Sequence, residues 1–124
     1  MALYLYLQAK ELHAISFHSP LSTFLKEHYP NLIIFEADQF SEPLHLQTGL
    51  QFIDKSQKII LHIEDDSKQG LGSIVKMLEK IRKSNNELLI LYAGDNQKLL
   101  NTQKILKGRR VSSDFEKEIK NFLS

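Results

Sequence analysis

The chain has 124 residues. It is predicted to form one α/β domain over residues 1–124: a three-layer α/β/α sandwich around a mainly parallel sheet of four to five strands. Three observations predict this. Four short apolar runs, at residues 3–7, 32–35, 59–63 and 88–92, are rich in Ile, Leu, Tyr or Phe and are bounded by polar or turn residues. Strands buried on both faces read this way. The runs begin 29, 27 and 29 residues apart, and a strand with its crossover helix takes about 30. No Asn-Gly or Asp-Gly pair, the mark of a tight hairpin, lies between adjacent runs.

The segments between the runs carry helix signals. Ser19-Pro20 reads as a helix start, with Ser19 as N-cap and proline in the first turn. Leu21, Phe24, Leu25 and His28 then share one face, and Pro30 marks the end. Ser41-Glu42-Pro43 opens a second helix, in which Leu46, Leu50 and Ile53 point one way and Gly49 either weakens the helix or lets another backbone approach closely. Leu71, Ile74, Val75, Leu78 and Ile81 give the third helix its apolar stripe. A turn at Ala93-Gly94-Asp95-Asn96 follows the fourth run. A weaker helix through Leu99, Leu100, Ile105 and Leu106 then ends at Gly108. Residues 109–112 form a candidate fifth strand at the sheet edge. Ser113-Asp114-Phe115-Glu116 has the form of a capping box opening a last helix, with Phe115, Ile119, Phe122 and Leu123 inward. Alternating strands and helices joined by right-handed crossovers place helices on both sheet faces, as in flavodoxin-like folds.

Composition narrows the function classes. Sixteen basic and fifteen acidic residues leave a net charge of +1, too small to draw the chain to nucleic acid or an anionic membrane. The densest basic stretch, Lys104, Lys107, Arg109 and Arg110, is read as a solvated helix end, with a phosphate-binding patch as the sharper alternative. There is no cysteine, which removes disulfides, thiolate metal sites and cysteine nucleophiles and makes the cytoplasm the expected location. No apolar run approaches the ~20 residues of a membrane span, and the apolar start lacks the basic residues of a signal peptide.

In an open parallel sheet, ligands bind beyond the carboxyl ends of the strands. Acidic residues gather there: Glu36 and Asp38 after the second strand, Glu64, Asp65 and Asp66 after the third, and Asp95 after the fourth. Each precedes a helix, where negative charge is favourable by ~0.3–1 kcal/mol; a magnesium site is the sharper alternative. Gly70-Leu71-Gly72-Ser73 could cradle a phosphate with its amides. It lacks the third glycine of a dinucleotide fingerprint and the lysine of a P-loop. The five histidines show no metal spacing; His62 lies in a strand and is expected to donate to a local partner, while His13 and His18 share the first loop. No Gly-x-Ser-x-Gly elbow exists to anchor a hydrolase triad.

The long first loop, Phe35-Glu36-Ala37-Asp38 leading to Pro43, and the run Gly49-Leu50-Gln51-Phe52-Ile53-Asp54-Lys55-Ser56 entering the third strand resemble a Toll/interleukin-1 receptor (TIR)-like domain. In that family a helix ending in Ile-x-x-Ser runs straight into the third strand, as Ile53-Asp54-Lys55-Ser56 does here. Ser56 would end the helix through its hydroxyl. The resemblance implies one of two activities: NAD hydrolysis by a glutamate on the helix after the third strand, or self-association through the loop after the second. Ser73 stands where that glutamate would be. The nearest glutamate, Glu79, lies six residues on and well around the helix, so NAD cleavage is not expected. Asp66-Ser67-Lys68-Gln69-Gly70-Leu71-Gly72 also resembles, with one residue too many, the Asp-Ser-x-Gly-Leu-Gly turn of anti-sigma-factor-antagonist (STAS) domains.

The expected function is therefore a non-enzymatic signalling or protein-interaction domain, with no cofactor and no metal. Phe40 and Pro43 in the loop after the second strand are its expected contact points, since aromatic side chains are enriched in interface cores; the other reading of Phe40 is a hydrophobic staple packed down on the next helix. The alternative is a domain that binds or cleaves an NAD-like nucleotide at the strand ends through Lys10, Glu11, Asp38, Asp65, Asp66 and the amides of Gly70, Gly72 and Ser73.

Overall fold

A computed structural model describes residues 1–66, 70–92 and 106–124. The turn expected at Ala93–Asn96 (with Asp95), most of the helix expected through Leu99, Leu100 and Ile105, and Lys104 lie outside the described residues, as do Ser67, Lys68 and Gln69 of the STAS-like turn.

Among the described residues, five strands form one sheet: β1 (Ala2–Ala9), β2 (Ile33–Asp38), β3 (Lys58–Asp65), β4 (Glu87–Tyr92) and β5 (Arg109–Val111). Every neighbouring pair is parallel, in the order β2-β1-β3-β4-β5. This is the flavodoxin-like order, and the short fifth strand takes the edge expected for it. Among the described residues the helices are α1 (Ser22–His28), α2 (Pro43–Lys55), α3 (Ile74–Lys83) and α4 (Phe115–Leu123). A 3-10 turn, Leu12–Ala14, lies in the first loop.

Side chains alternate across a strand, and the two sheet faces differ in chemistry. Leu3, Leu5 and Leu7 join Ile59, Leu61, Ile63, Leu88 and Ile90 beneath α2 and α3 in an apolar layer. The opposite face pairs apolar Ile60, Leu89 and Leu91 with Tyr4 and Tyr6, under Leu25 of α1 and Ile119 of α4. The two tyrosine hydroxyls give this second face buried polar atoms, which find their partners on β3 and in the first loop.

The structure corrects several local expectations. The strands run further at their carboxyl ends than the apolar runs do, so Glu36, Asp38, Glu64 and Asp65 belong to strands and not to helix-leading loops. Sheet pairing carries them, because Gln8 and Ala9 remain in register with Glu64 and Asp65. The helix-dipole account of these carboxylates falls away. Ser19 does not cap α1. The helix begins at Ser22, and Ser19 is buried three residues ahead of it, its hydroxyl accepting from the Leu21 amide at 3.1 Å and meeting Tyr4. His28 is exposed rather than inward. In α3, Val75 faces solvent and Met77 takes its place in the core. The capping box is not made: Asp114 adopts a left-handed φ of 56° with no side-chain cap bond. Ser56 does end α2 as expected, its hydroxyl donating to the Phe52 carbonyl at 2.6 Å.

Candidate functional site

Three loops meet over the carboxyl ends of β1, β2 and β3, and Gln39 is their centre. Its side chain accepts a hydrogen bond from the Lys10 amide and donates to the Lys10 carbonyl. Its own carbonyl accepts from the Ser73 amide at 3.2 Å. Gly72, at φ +49°, lies so close that a Cβ there would fall within 3 Å of the same carbonyl, which is why a glycine is needed. Ser73 Oγ donates to the Ser41 carbonyl at 2.9 Å. The Ser73 amide of the expected phosphate cradle is thus taken by protein oxygen, while Gly70 is exposed and open.

The remaining expected residues are dispersed around this hub. Lys10 Nζ donates to Glu64 Oε1 at 2.6 Å. The Glu11 amide donates to Asp66 Oδ2 at 3.3 Å, and the Asp66 amide to the Ala9 carbonyl. Asp65 ends β3 opposite Ala9. Asp38 organises its own loop: Oδ1 accepts from the Phe40 amide at 2.7 Å, its amide donates to Ser41 Oγ and its carbonyl accepts from the Ser41 amide. Pro43 is the first residue of α2 and is exposed. Glu79 pairs with Arg82 on the outer side of α3 at 2.8 Å. Among the described residues, no group of three or more His, Asp or Glu side chains is placed to hold a metal ion, and no helix is long and apolar enough to cross a membrane.

Beneath the hub runs a buried polar file that single residues in the sequence did not reveal. Ser19 Oγ contacts Tyr4 Oη at 2.6 Å, and Tyr4 Oη contacts His62 Nδ1. His62 Nε2 lies 3.8 Å from Glu64 Oε2, and Glu64 Oε1 also accepts from Tyr6. The carboxylate, 3.8 Å from Nε2 and too far for a hydrogen bond, favours one set of donors on electrostatic grounds. A carboxylate only accepts, so the imidazole turns Nε2–H toward Glu64 and accepts from the Tyr4 hydroxyl at Nδ1, while Ser19 donates to Tyr4. Burial lowers the His62 pKa to about 4, against the opposing pull of Glu64. Burial also raises both tyrosines well above their usual range, keeping them donors. For Glu64, burial pushes upward, but bonds from Lys10 and Tyr6 outweigh it and hold the carboxyl low. The signal available in the sequence was period-2 alternation: Tyr4, Tyr6 and Gln8 on one strand, His62 and Glu64 on another.

The same polar groups pin the long first loop. Gln8, itself buried, donates to the Ser16 carbonyl at 3.0 Å and accepts from the Ser16 amide at 2.8 Å. The Ser19 amide donates to Glu36 Oε1 at 3.0 Å. Between these anchors, Phe17 stands out into solvent at 94% exposure. Phe40, on the loop that Asp38 organises, is 53% exposed, and Leu12 is 73% exposed. These three side chains border one open cleft of about 660 Å³, floored by Gln8, Glu36, Ala37 and Asp38. Sequence reasoning found Phe40 but not Phe17 or Leu12, which sit among loop residues with no periodic signal.

Fold and site together define a flavodoxin-like α/β domain whose open cleft is held by the loops after β1 and β2. Comparisons with protein-family models, with curated proteins and with solved structures return no match.

Proposed function

We propose that the chain is a non-enzymatic, cytoplasmic protein-interaction domain of TIR-like, flavodoxin-like type, acting in signalling through the cleft between the loops after β1 and β2. One observation carries the reading: two phenylalanines are held out into solvent on loops whose backbones are fastened by side-chain hydrogen bonds, from buried Gln8 in one and from Asp38 in the other. An exposed aromatic on a loose loop costs little and means little. Here the flanking residues are fixed, so little ordering entropy opposes docking on these rings. Burying both would supply the aromatic core an interface needs.

Affinity capture with cross-linking, together with light scattering, tests this on wild type and on Phe17→Ser/Phe40→Ser. The variant is expected to lose a captured protein, or the chain's self-association, by at least about tenfold. Its own stability should change by less than ~0.5 kcal/mol, as exposed positions allow. Identical capture profiles and identical masses would sink the proposal.

A nucleotide at the strand ends receives no support from the loop geometry, because the Gln39 carbonyl occupies the Ser73 amide. NAD and ATP, with or without magnesium, are expected to leave the melting temperature unchanged. A concentration-dependent rise would restore the nucleotide reading.

A further inference from the structure

The cleft has a second property beyond its aromatic border. Glu36 and Asp38 lie in its floor and Glu42 at its edge, and among the described residues no lysine or arginine lines it. Glu36 accepts the Ser19 amide and has His18 Nδ1 at 3.8 Å. Asp38 accepts the Phe40 amide. Glu42 is exposed at the start of α2 and makes no capping bond. The near-neutral whole chain therefore conceals a local surplus of negative charge at its apolar opening.

That combination selects among occupants. A purely apolar segment would desolvate three carboxylates and give them no partner, a costly exchange. An acidic segment would add like-charge repulsion. A cationic segment offsets the desolvation and is steered in by the field. Arginine suits the cleft better than lysine: its planar guanidinium can lie over the face of Phe17 or Phe40 while forking onto a carboxylate. We propose, resting on the interaction reading above, that the cleft receives a partner segment carrying an arginine beside a large apolar residue. The apolar residue would pack against Leu12, Phe17 and Phe40, and the guanidinium would face the acidic floor.

The test is a random-peptide display selection on the wild-type chain, counter-selected on Phe17→Ser/Phe40→Ser. Enriched peptides are expected to pair arginine with a neighbouring large apolar residue. Anisotropy should then show an enriched peptide binding at least about tenfold more weakly to Glu36→Gln/Glu42→Gln, and more weakly as salt rises. Glutamine at position 36 keeps an acceptor for the Ser19 amide, so the loop should hold; an unchanged melting temperature verifies that. Neutral or acidic consensus peptides, or affinity indifferent to the two substitutions, overturn the charge assignment while leaving the cleft as an interaction site. No enrichment overturns the peptide proposal, and the capture experiment separately decides the interaction reading.

Discussion

Gly49→Leu is expected to destabilise the domain by about 2 kcal/mol, lowering the melting temperature by roughly 8 °C. Gly49 lies mid-helix in α2 on the face turned to α3, and a Cβ built there would come within 3 Å of Met77 Cε and Phe35 Cε1. The two neighbours differ in how far they can yield. Met77 ends in a flexible thioether that can swing aside. Phe35 cannot: its ring stacks on His45 at 4.5 Å and meets Phe52 edge-on at 5.8 Å. Helix propensity alone favours the substitution by ~0.8 kcal/mol, so the packing penalty must exceed that for the sign to be negative. Gly49→Ala should be destabilising by a smaller amount, since one methyl asks less of Phe35. Thermal unfolding of both variants checks this. Equal or raised melting temperatures would mean that Phe35 moves freely and that the α2–α3 contact does not depend on the missing side chain.

Acidification from pH 7 to about 4 should cost the wild-type protein roughly 3 kcal/mol more than it costs His62→Gln. The imidazole in the folded chain takes a proton only near pH 4, whereas in the unfolded chain it does so near 6.5. Between those values the unfolded state binds more protons, so stability rises with pH there. The His62 contribution is complete above about 6.5 and is lost as pH falls toward 4. Glutamine can accept from Tyr4 as the imidazole does but has no proton to gain. Glu64, held low by Lys10 and Tyr6 and to a lesser degree by His62, loses its own contribution only as pH falls below the ordinary carboxylate value, so the comparison is read above that value. Urea unfolding at several pH values between 7 and 4.5 provides the measurement. Parallel curves for the two proteins would show that His62 is not the buried base the file requires.

Local elements were legible where one residue's neighbours along the chain decide its fate. The four apolar runs became β1 to β4, and Ile119 sits under the sheet as its helical spacing implied. Local rules failed where a distant partner overrode them. Ser19 has the right chemistry for a helix cap and does accept from the Leu21 amide at 3.1 Å, but its contact with Tyr4, fifteen residues earlier, holds it buried ahead of a helix that begins only at Ser22. Val75 fits the apolar stripe of α3 as well as Met77 does. Only the position of α2, with the gap left by Gly49, admits the longer side chain.

By itself the sequence determined the fold class: short, doubly buried apolar runs at crossover spacing can be satisfied only by parallel strands with helices across both faces. Tertiary structure alone decided the site. Placing β1 between β2 and β3 joins Tyr4 to His62 across 58 residues and turns Gln8 and Glu36 onto the first loop. That is how Phe17 comes to border the same cleft as Phe40. The physical reason is that period and composition are carried along the chain, whereas the pairing of polar groups depends on which strands become neighbours, and no local signal encodes that.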